Sequence, residues 1–316
     1  MPHKQKLIEK ILSGDRVSIA RGISYIENEY SESIQLLREL YSHTGKAYRI
    51  GITGPPGAGK STISNKLAKF YRGQNKKVGI IAVDPTSPFT GGALLGDRVR
   101  MTDVELDPGV FIRSMASRGS LGGLSKKAKE AADVLDASGS DIVLMETVGV
   151  GQSELDIAHA ADTTIVVLVP ESGDSIQAMK AGLMEIADFF IINKADRAGA
   201  DQAVMSIKTV LNLKPQDSGW SPDVLKTVAN SEKGIKEVAD MIDAHHKHLE
   251  TTNNLQLRRR ERIVERIHDL ISERLHVEFW TEERKSLLAS KLDSIVDQKA
   301  TPYDIVEELL KSLKHR

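Results

Sequence analysis

The clearest chemical pattern in the sequence is a glycine-rich segment of eight residues that begins at Gly54 and reads Gly-Pro-Pro-Gly-Ala-Gly-Lys-Ser. Glycines let a loop curl so that successive N–H groups point at phosphate oxygens, and a following helix adds its positive end. Lys60 is predicted to reach the β and γ phosphates of a nucleotide, and Ser61 to bind Mg²⁺ through its hydroxyl. The alternative is a strand-to-helix turn without a ligand. The predicted nucleotide contacts are Gly54, Pro55, Pro56, Gly57, Ala58, Gly59, Lys60, Ser61 and Thr62.

A second pattern lies where the apolar run 142–145 ends in an acid. Glu146 is followed by Thr147, Val148 and Gly149. The spacing resembles the metal-side motif of GTPases, with glutamate in place of the usual aspartate. Glu146 is predicted to hold Mg²⁺ directly or through water, and the N–H of Gly149 to sense the γ-phosphate. The alternative is a solvated acid at the end of a strand.

The third pattern is Asn193-Lys194-Ala195-Asp196, which follows the apolar run 189–192. Guanine offers two adjacent donors, N1–H and an exocyclic amine, which one carboxylate can accept together, whereas adenine has an acceptor at N1. Asp196 is therefore predicted to read guanine, with the Lys194 stem along the base and Asn193 bracing the loop. Such mismatches discriminate strongly because the site's own polar groups lose partners. A helix cap is the alternative for this pattern taken alone, but its order after the first two favours GTP and GDP as ligands.

Composition limits the other classes of function. Lys and Arg total 43 against 44 Asp and Glu, a formal net charge of −1, which does not favour a broad surface for nucleic acid or an acidic membrane. The sequence has no cysteine, which excludes disulfides and thiolate metal sites. No stretch reaches the roughly 18 apolar residues of a membrane-spanning helix, and the first residues lack a targeting pattern. The sequence predicts a cytoplasmic protein.

The elements that position these motifs follow from periodicity. From Tyr48 onward, short apolar runs alternate with helical stretches, which is typical of a parallel sheet with crossover helices. The predicted fold is α/β, a P-loop NTPase with a mostly parallel, doubly wound sheet and helical extensions at both ends. The predicted strands are 48–53, 78–83, 110–113, 141–145, 163–169, 188–192 and 224–228. The predicted domains are an N-terminal helical extension at 1–46, a GTPase domain at 47–250 and a C-terminal helical dimerisation arm at 251–316. Apolar residues near helical spacing in the first extension are Leu7, Ile11, Val17, Ile23, Ile26, Ile34, Leu37 and Leu40.

Taken together, the motifs resemble the MeaB/ArgK group, which are GTPases associated with methylmalonyl-CoA mutase. The resemblance covers about residues 4–310. Its most specific part is the segment 146–154, and it also includes Asp84-Pro85-Thr86-Ser87 and Gly96-Asp97-Arg98. It implies a GTP-driven chaperone that gates adenosylcobalamin delivery to a cobalamin-dependent acyl-CoA mutase and protects or reactivates that enzyme. It also implies a homodimer formed by the C-terminal helices, and it leaves open whether an adenosyltransferase joins the complex.

The resemblance assigns further residues that the motifs alone do not. Asp84 and Asp97 are expected to bind Mg²⁺ or position water, and Arg100 to approach the phosphates. Segment 171–180 resembles a third switch, in which Asp174 and Lys180 relay the nucleotide state to the mutase. The alternative for each is an ordinary charge or helix start in a solvated loop. The predicted catalytic residues are Lys60, Asp84, Asp97, Glu146 and Gly149, and the predicted metal ligands are Ser61, Asp84, Asp97 and Glu146.

The sequence departs from related GTPases at two positions. Val150 stands where small GTPases often place a water-orienting glutamine, so intrinsic hydrolysis is expected to be slow or stimulated by a partner. Val228 precedes Ala229 where the family usually carries serine. The backbone N–H of Ala229 can still reach the guanine oxygen, so base specificity is expected to survive.

Two other functions remain in competition. A P-loop kinase of a small molecule, as an older label linked to arginine transport suggests, would prefer adenine, against which Asp196 argues. A metallochaperone GTPase for nickel would use Cys and His clusters. Its candidate ligands here are His245, His246 and His248, and a solvated helix face is the favoured interpretation of these three.

Overall fold

The structure, a computed structural model, describes residues 2–84, 104–116, 126–147, 156–172, 181–212 and 219–311. Within these ranges a parallel sheet of seven strands is flanked by helices, and its strand order is β3-β2-β4-β1-β5-β6-β7. The predicted α/β class, with a parallel sheet flanked by helices, is confirmed. The strands are β1 (Tyr48–Thr53), β2 (Val78–Asp84), β3 (Val110–Ala116), β4 (Ile142–Glu146), β5 (Thr163–Leu168), β6 (Phe189–Ile192) and β7 (Val224–Lys226).

The central strands are apolar along their length because helices cover both faces of the sheet. Successive residues of a strand point to opposite faces. In β4, Leu144 belongs to the core on one face, whereas Val143 and Met145 belong to the core on the other. The flanking helices are α1 (Pro2–Leu12), α2 (Arg16–Glu27), α3 (Ser33–Tyr41), α4 (Lys60–Gly73), α5 (Lys126–Ala137), α6 (Ala181–Ile186), α7 (Ala200–Leu211) and α8 (Ile235–Thr251).

The three N-terminal helices pack on the same face as α5. Ile11, Ile23 and Leu36 are fully or almost fully buried in that core. Val17 and Ile34 also fall near the helical spacing, but they are not buried with these residues, since their side chains are 73% and 63% exposed. Helical spacing is a broad criterion, and in α2 the buried arc is formed by residues 18, 19, 22, 23 and 26, which leaves position 17 outside it.

The described residues divide between 256 and 257 into two compact units. The second unit consists of most of α9 (Asn254–Phe279), α10 (Glu282–Val296) and α11 (Pro302–Lys311). Thr281 caps α10 by accepting a hydrogen bond from the Arg284 N–H, and Lys291 pairs with Glu308 at 3.0 Å. Ile305 and Leu309 are buried within this unit. The three domain bounds given above stay predictions.

Helix α9 carries a row of apolar side chains that the described part of the chain leaves exposed. They recur three and four residues apart and so lie on one side of the helix. We call this row the apolar stripe of α9, and it comprises Ile263, Val264, Ile267, Ile271 and Leu275, all exposed. In the part of the chain that the structure describes, no helix is both long and apolar enough to cross a membrane.

The strand order determines where a ligand can bind. β1 lies between β4 and β5, where the chain's progress across the sheet changes direction. In open parallel sheets, ligands bind beyond the carboxyl ends of the strands at such a point. The carboxyl ends of β1, β4 and β6 lie on that edge of the sheet, and the three motifs begin there.

Candidate nucleotide-binding site

The glycine-rich loop joins β1 to α4, so its N–H groups lie at the positive end of a helix of fourteen residues. Two glycines are required by their surroundings. Gly54 has φ of +134°, and a Cβ there would overlap the main-chain carbonyl of Val167 in β5. Gly59 has φ of +93°, and a Cβ there would overlap the side-chain amide of Asn193. The loop is thus packed closely against the strand and the motif beside it.

Lys60 is folded back onto its own loop. Its ammonium group donates to the carbonyl oxygen of Gly54 at 2.7 Å and to that of Pro55 at 3.0 Å, and the residue is only 5% exposed. A buried ammonium needs oxygen partners, and phosphate oxygens offer stronger ones than carbonyls. The arrangement places this cation within the loop that is predicted to hold the phosphates.

Glu146 is buried against the start of α4. Its Oε1 accepts a hydrogen bond from the Ser61 hydroxyl at 2.6 Å, its Oε2 lies 3.1 Å from the Ser64 hydroxyl, and the residue is 4% exposed. The alternative interpretation as a solvated strand-end acid is therefore wrong. A serine hydroxyl that donates its hydrogen to a carboxylate keeps its oxygen lone pairs for a cation. Hydroxyl and carboxylate oxygens are the ligands that Mg²⁺ prefers, so these residues fit that ion.

A pair of buried threonines joins the strands that lead into the first two motifs. The Thr147 hydroxyl donates to the Thr53 hydroxyl at 2.9 Å, and the Thr147 N–H donates to the Ile52 carbonyl at 3.1 Å. Thr53 is the last residue of β1, directly before the glycine-rich loop, and Thr147 directly follows β4. These hydrogen bonds therefore fix the starts of the two loops relative to each other.

Asn193 connects three segments of the site. Its Nδ2 donates to the Ala58 carbonyl in the glycine-rich loop at 2.8 Å. Its Oδ1 accepts from the Thr227 hydroxyl at 3.0 Å and from the Ala229 N–H at 3.2 Å. The donor that is predicted to meet the guanine oxygen thus points at Asn193 in this structure. Asn193 holds the loop after β6, the loop after β7 and the glycine-rich loop at fixed separations.

Lys194 adds a second link between the base motif and the phosphate loop. Its backbone is left-handed, with φ of +57°, and its Nζ donates to the Gly57 carbonyl at 2.8 Å. Asp196 is exposed, and its carboxylate has no hydrogen bond or ion pair to any described residue. The neighbouring Arg197 instead pairs with Glu171 at 2.6 Å, a hydrogen bond that lowers the pKa of the Glu171 carboxyl. Asp196 is therefore available to a ligand.

The turn Ala229–Ser231 is also tied to the helix that begins at the glycine-rich loop. Glu232, which follows the turn, accepts from Lys69 at 2.7 Å and from Lys66 at 3.2 Å, both in α4. These bonds lower the pKa of the Glu232 carboxyl. Sequence reasoning missed the residues that support the motif residues from a distance, because each lacks a local pattern. They are Thr53, Ser64, Lys66, Lys69, Thr147, Thr227 and Glu232.

Several predicted site residues lie outside the described residues, namely Asp97, Arg100, Gly149, Asp174 and Lys180. The backbone of Asp84 is described and ends β2, on the same edge of the sheet as the glycine-rich loop, but its side chain is outside the description. Thr62 lies in the first turn of α4 and is partly buried. For these residues the predicted roles stay predictions.

The histidines of α8 do not form a solvated face as predicted. His245 is completely buried, with its Nδ1 2.8 Å from the Thr163 hydroxyl and its Nε2 3.3 Å from an Asp188 oxygen. His246 stacks on Tyr48 with ring centroids 3.9 Å apart. The sequence did not indicate this, because a histidine among polar neighbours is expected to be exposed. Position 245 lies on the side of α8 that faces the sheet. Among the described residues, no group of three or more His, Asp or Glu side chains is arranged to hold a metal ion.

Comparison with known proteins extends the picture from the site to the whole chain. A family model described as methylmalonyl-CoA mutase-associated GTPase MeaB matches residues 19–284. A protein of Pyrococcus abyssi named as a GTPase is 48% identical over 98% of this chain and 96% of its own length. The GTPase ArgK of Escherichia coli is 34% identical over 91% of each chain. A crystal structure titled LAO/AO transport system kinase covers 99% of this chain and 98% of its own, with 26% identity and a TM-score of 0.77.

Proposed function

This chain belongs to the family of methylmalonyl-CoA mutase-associated GTPases, and from that premise we propose that it is a chaperone of a cobalamin-dependent acyl-CoA mutase. The predicted resemblance and the predicted enzyme class, a GTPase, are both confirmed by relatives that span nearly the whole chain. In the proposed cycle, GTP hydrolysis gates adenosylcobalamin delivery to a mutase such as methylmalonyl-CoA mutase and protects or reactivates it.

The observation that supports binding of one nucleotide across both motifs is the pair of hydrogen bonds that join the base motif to the glycine-rich loop. Asn193 and Lys194 both donate to carbonyls of the glycine-rich loop, at 2.8 Å each. A base held at Asp196 is therefore held at a fixed distance from the phosphates at Lys60. The carboxylate of Asp196 is exposed and would accept the N1–H and amine of guanine, while Ala229 would turn its N–H from Asn193 to the guanine oxygen.

Hydrolysis needs positioning and charge stabilisation rather than a covalent nucleophile. Lys60 would exchange its two loop carbonyls for phosphate oxygens. Mg²⁺ would be held by Ser61, with Glu146, Asp84 and Asp97 as the acids of the site, and it would neutralise charge that develops on the phosphates. The N–H of Gly149 would respond to the γ-phosphate. Since Val150 cannot orient water, slow intrinsic hydrolysis that a partner accelerates is the expected behaviour.

Control of a mutase requires that the GTP and GDP states bind it with different affinity, because a ligand shifts an equilibrium only by its differential affinity. Arg100, Asp174 and Lys180 are the residues proposed to carry that difference. The apolar stripe of α9 supports the proposal of a homodimer through the C-terminal helices, because uncovered apolar rows of this kind commonly form interfaces. An adenosyltransferase is a further candidate partner.

A small-molecule kinase is the competing function, since a similar solved structure carries a kinase title. Isothermal titration separates the two, using GDP, a non-hydrolysable GTP analogue and ATP in the presence of Mg²⁺. We expect guanine nucleotides to bind and Asp196→Ala to lose roughly a hundredfold or more in affinity, because the donors of guanine lose their acceptor. Asp201→Ala is the matched control, since Asp201 is an exposed acid five positions along the chain that pairs with Lys226. Equal or tighter binding of ATP would overturn the assignment.

The mutase role is tested separately by measuring the loss of mutase activity over time in three conditions. These are this protein with GTP, this protein with GDP, and neither this protein nor a nucleotide. We expect slower inactivation, or recovery of activity, only with the chaperone and a guanine nucleotide. Identical inactivation curves in all three conditions would contradict the chaperone role while leaving the GTPase assignment intact.

A further inference from the structure

Ser64 lies one helical turn beyond Ser61 and shares its carboxylate partner. The two serines are three positions apart in α4, so both hydroxyls face the end of β4. Ser61 donates to Oε1 of Glu146 at 2.6 Å, and the Ser64 Oγ lies 3.1 Å from Oε2. Each oxygen of the buried carboxylate therefore has a different serine of the same helix beside it.

The Ser64 hydroxyl also lies 3.1 Å from the Lys60 carbonyl, one turn before it. That contact alone is the ordinary way in which a serine in a helix satisfies its hydroxyl. The hydroxyl carries a single hydrogen, and a carboxylate is a stronger acceptor than a carbonyl. The buried Glu146 is therefore the acceptor that gains most from it.

The length of the acid explains why a second anchor matters. A glutamate has one more methylene and one more rotatable bond than the aspartate usual in this motif, so more conformations must be excluded to fix its carboxylate. A carboxylate held at one oxygen can still rotate about its last bond, whereas one held at both oxygens cannot. The pair of serines removes the freedom that the longer side chain adds.

We propose that Ser64 is a positioning residue for the magnesium site, acting through Glu146. By holding Oε2, Ser64 keeps Oε1 directed at the Ser61 hydroxyl, so that the Ser61 oxygen lone pairs face the nucleotide side. The inference rests on the proposed Mg²⁺ site and adds a residue to it that no motif contains. Its consequence is that Ser64 contributes to binding of the magnesium–nucleotide complex and not to binding of nucleotide without metal.

The test measures the affinity of a fluorescent GDP as a function of Mg²⁺ concentration, and again in excess chelator. Three variants are compared with the natural protein: Ser64→Ala, Ser64→Thr and Ser138→Ala. Ser138 is the matched control, since it is a buried serine whose hydroxyl donates to the Leu135 carbonyl at 2.7 Å. It directly follows α5 and lies at the amino end of β4, the opposite edge of the sheet from the nucleotide motifs. Thermal denaturation of each variant shows whether it is folded.

In Ser64→Ala, we expect the Mg²⁺ concentration for half-maximal effect to rise about tenfold, the scale of one lost hydrogen bond to a charged group. Affinity for GDP in chelator should stay unchanged. Ser64→Thr, which keeps the hydroxyl, should restore the Mg²⁺ response, and Ser138→Ala should not alter it. In a Glu146→Asp background, Ser64→Ala should have little further effect, because the shorter acid no longer reaches position 64.

Two outcomes would overturn the proposal. One is an unchanged Mg²⁺ response in folded Ser64→Ala, and the other is an equal loss of GDP affinity with and without metal. A natural protein whose GDP affinity ignores Mg²⁺ would refute the magnesium site together with this inference. GDP binding in chelator would still report on the guanine site, so failure of the nucleotide assignment is distinguishable.

Discussion

Asp196 is the residue at which the chemistry of the base is decided. A carboxylate accepts the amine of guanine, whereas the side-chain amide in an Asp196→Asn variant offers a donor instead. Xanthine carries a carbonyl oxygen where guanine carries that amine. We therefore expect Asp196→Asn to weaken GDP binding strongly and to improve binding of xanthosine diphosphate, measured by titration of both nucleotides. Asp201→Asn should leave both affinities unchanged, and a variant that loses both nucleotides equally would contradict this role.

His245 illustrates a residue whose importance lies in stability. Its ring is buried between Thr163 and Asp188. We expect His245→Ala to lower the free energy of unfolding by about 2–4 kcal/mol, because it leaves a cavity and removes a hydrogen-bond partner of the buried Thr163 hydroxyl. Thermal and urea denaturation measure the loss, with exposed His43→Ala as the control. A stable His245→Ala protein that instead lost bound nickel would revive the metallochaperone hypothesis.

At this scale the sequence predicts residues whose chemistry demands a local pattern, and it misses the residues that support them. Lys60, Ser61 and Asn193 belong to short motifs in which the ligand dictates each residue type. Ser64 and Thr227 act on those residues from another turn or another loop, and a single serine or threonine carries no such signature. Only the fold brings Thr227 to the Oδ1 of Asn193.

Among the elements, α4 links the phosphate loop to the turn that would meet the guanine oxygen. Lys66 and Lys69 of α4 hold Glu232 beside that turn. We expect Glu232→Gln to weaken GDP binding a few-fold, which is the scale of exposed ion pairs. High salt screens this ion pair, so the natural protein should lose the same contribution to GDP affinity there. The control is Lys236→Gln, which breaks an exposed pair with Asp240 in α8.

The pH dependence of this link has a definite sign. Hydrogen bonds from the two lysines lower the pKa of the Glu232 carboxyl. The contribution of this ion pair to GDP affinity is therefore complete above the ordinary pKa range of a carboxyl, and it is lost as the pH falls through the lowered pKa. An increment that salt does not remove, or that grows on acidification, would contradict the ion-pair explanation.

Strand positions follow from the sequence where burial on both faces makes the run apolar, and their ends follow less well. β1 is predicted at 48–53 and is observed at Tyr48–Thr53. β7 is predicted at 224–228 but ends at Lys226, and the next residue, Thr227, donates its N–H to the Ile192 carbonyl and its hydroxyl to Asn193. β3 continues past 113 to Ala116, because β2 offers partners as far as Asp84. Long-range pairing, which a local pattern does not contain, sets these ends.

For the whole molecule, the apolar stripe of α9 leads to a prediction about assembly. If the stripe forms the proposed homodimer interface, a charge at its centre must be desolvated there. We expect Ile271→Asp to convert a dimer into a monomer, as measured by light scattering during size-exclusion chromatography. Ser272→Asp adds the same charge outside the stripe and should leave the dimer intact. A dimer that tolerates Ile271→Asp would show that another surface mediates assembly.

The close fit between Gly59 and Asn193 has a consequence for the interpretation of genetic variants. A side chain at position 59 would displace the amide that links the phosphate loop to both base loops. A substitution at Gly59 that impairs phosphate binding would therefore also impair selection of the base. In the same way, a substitution at Asn193 would impair phosphate binding as well as base selection. Alleles at these two positions should share one phenotype, and combining them should add little to either alone.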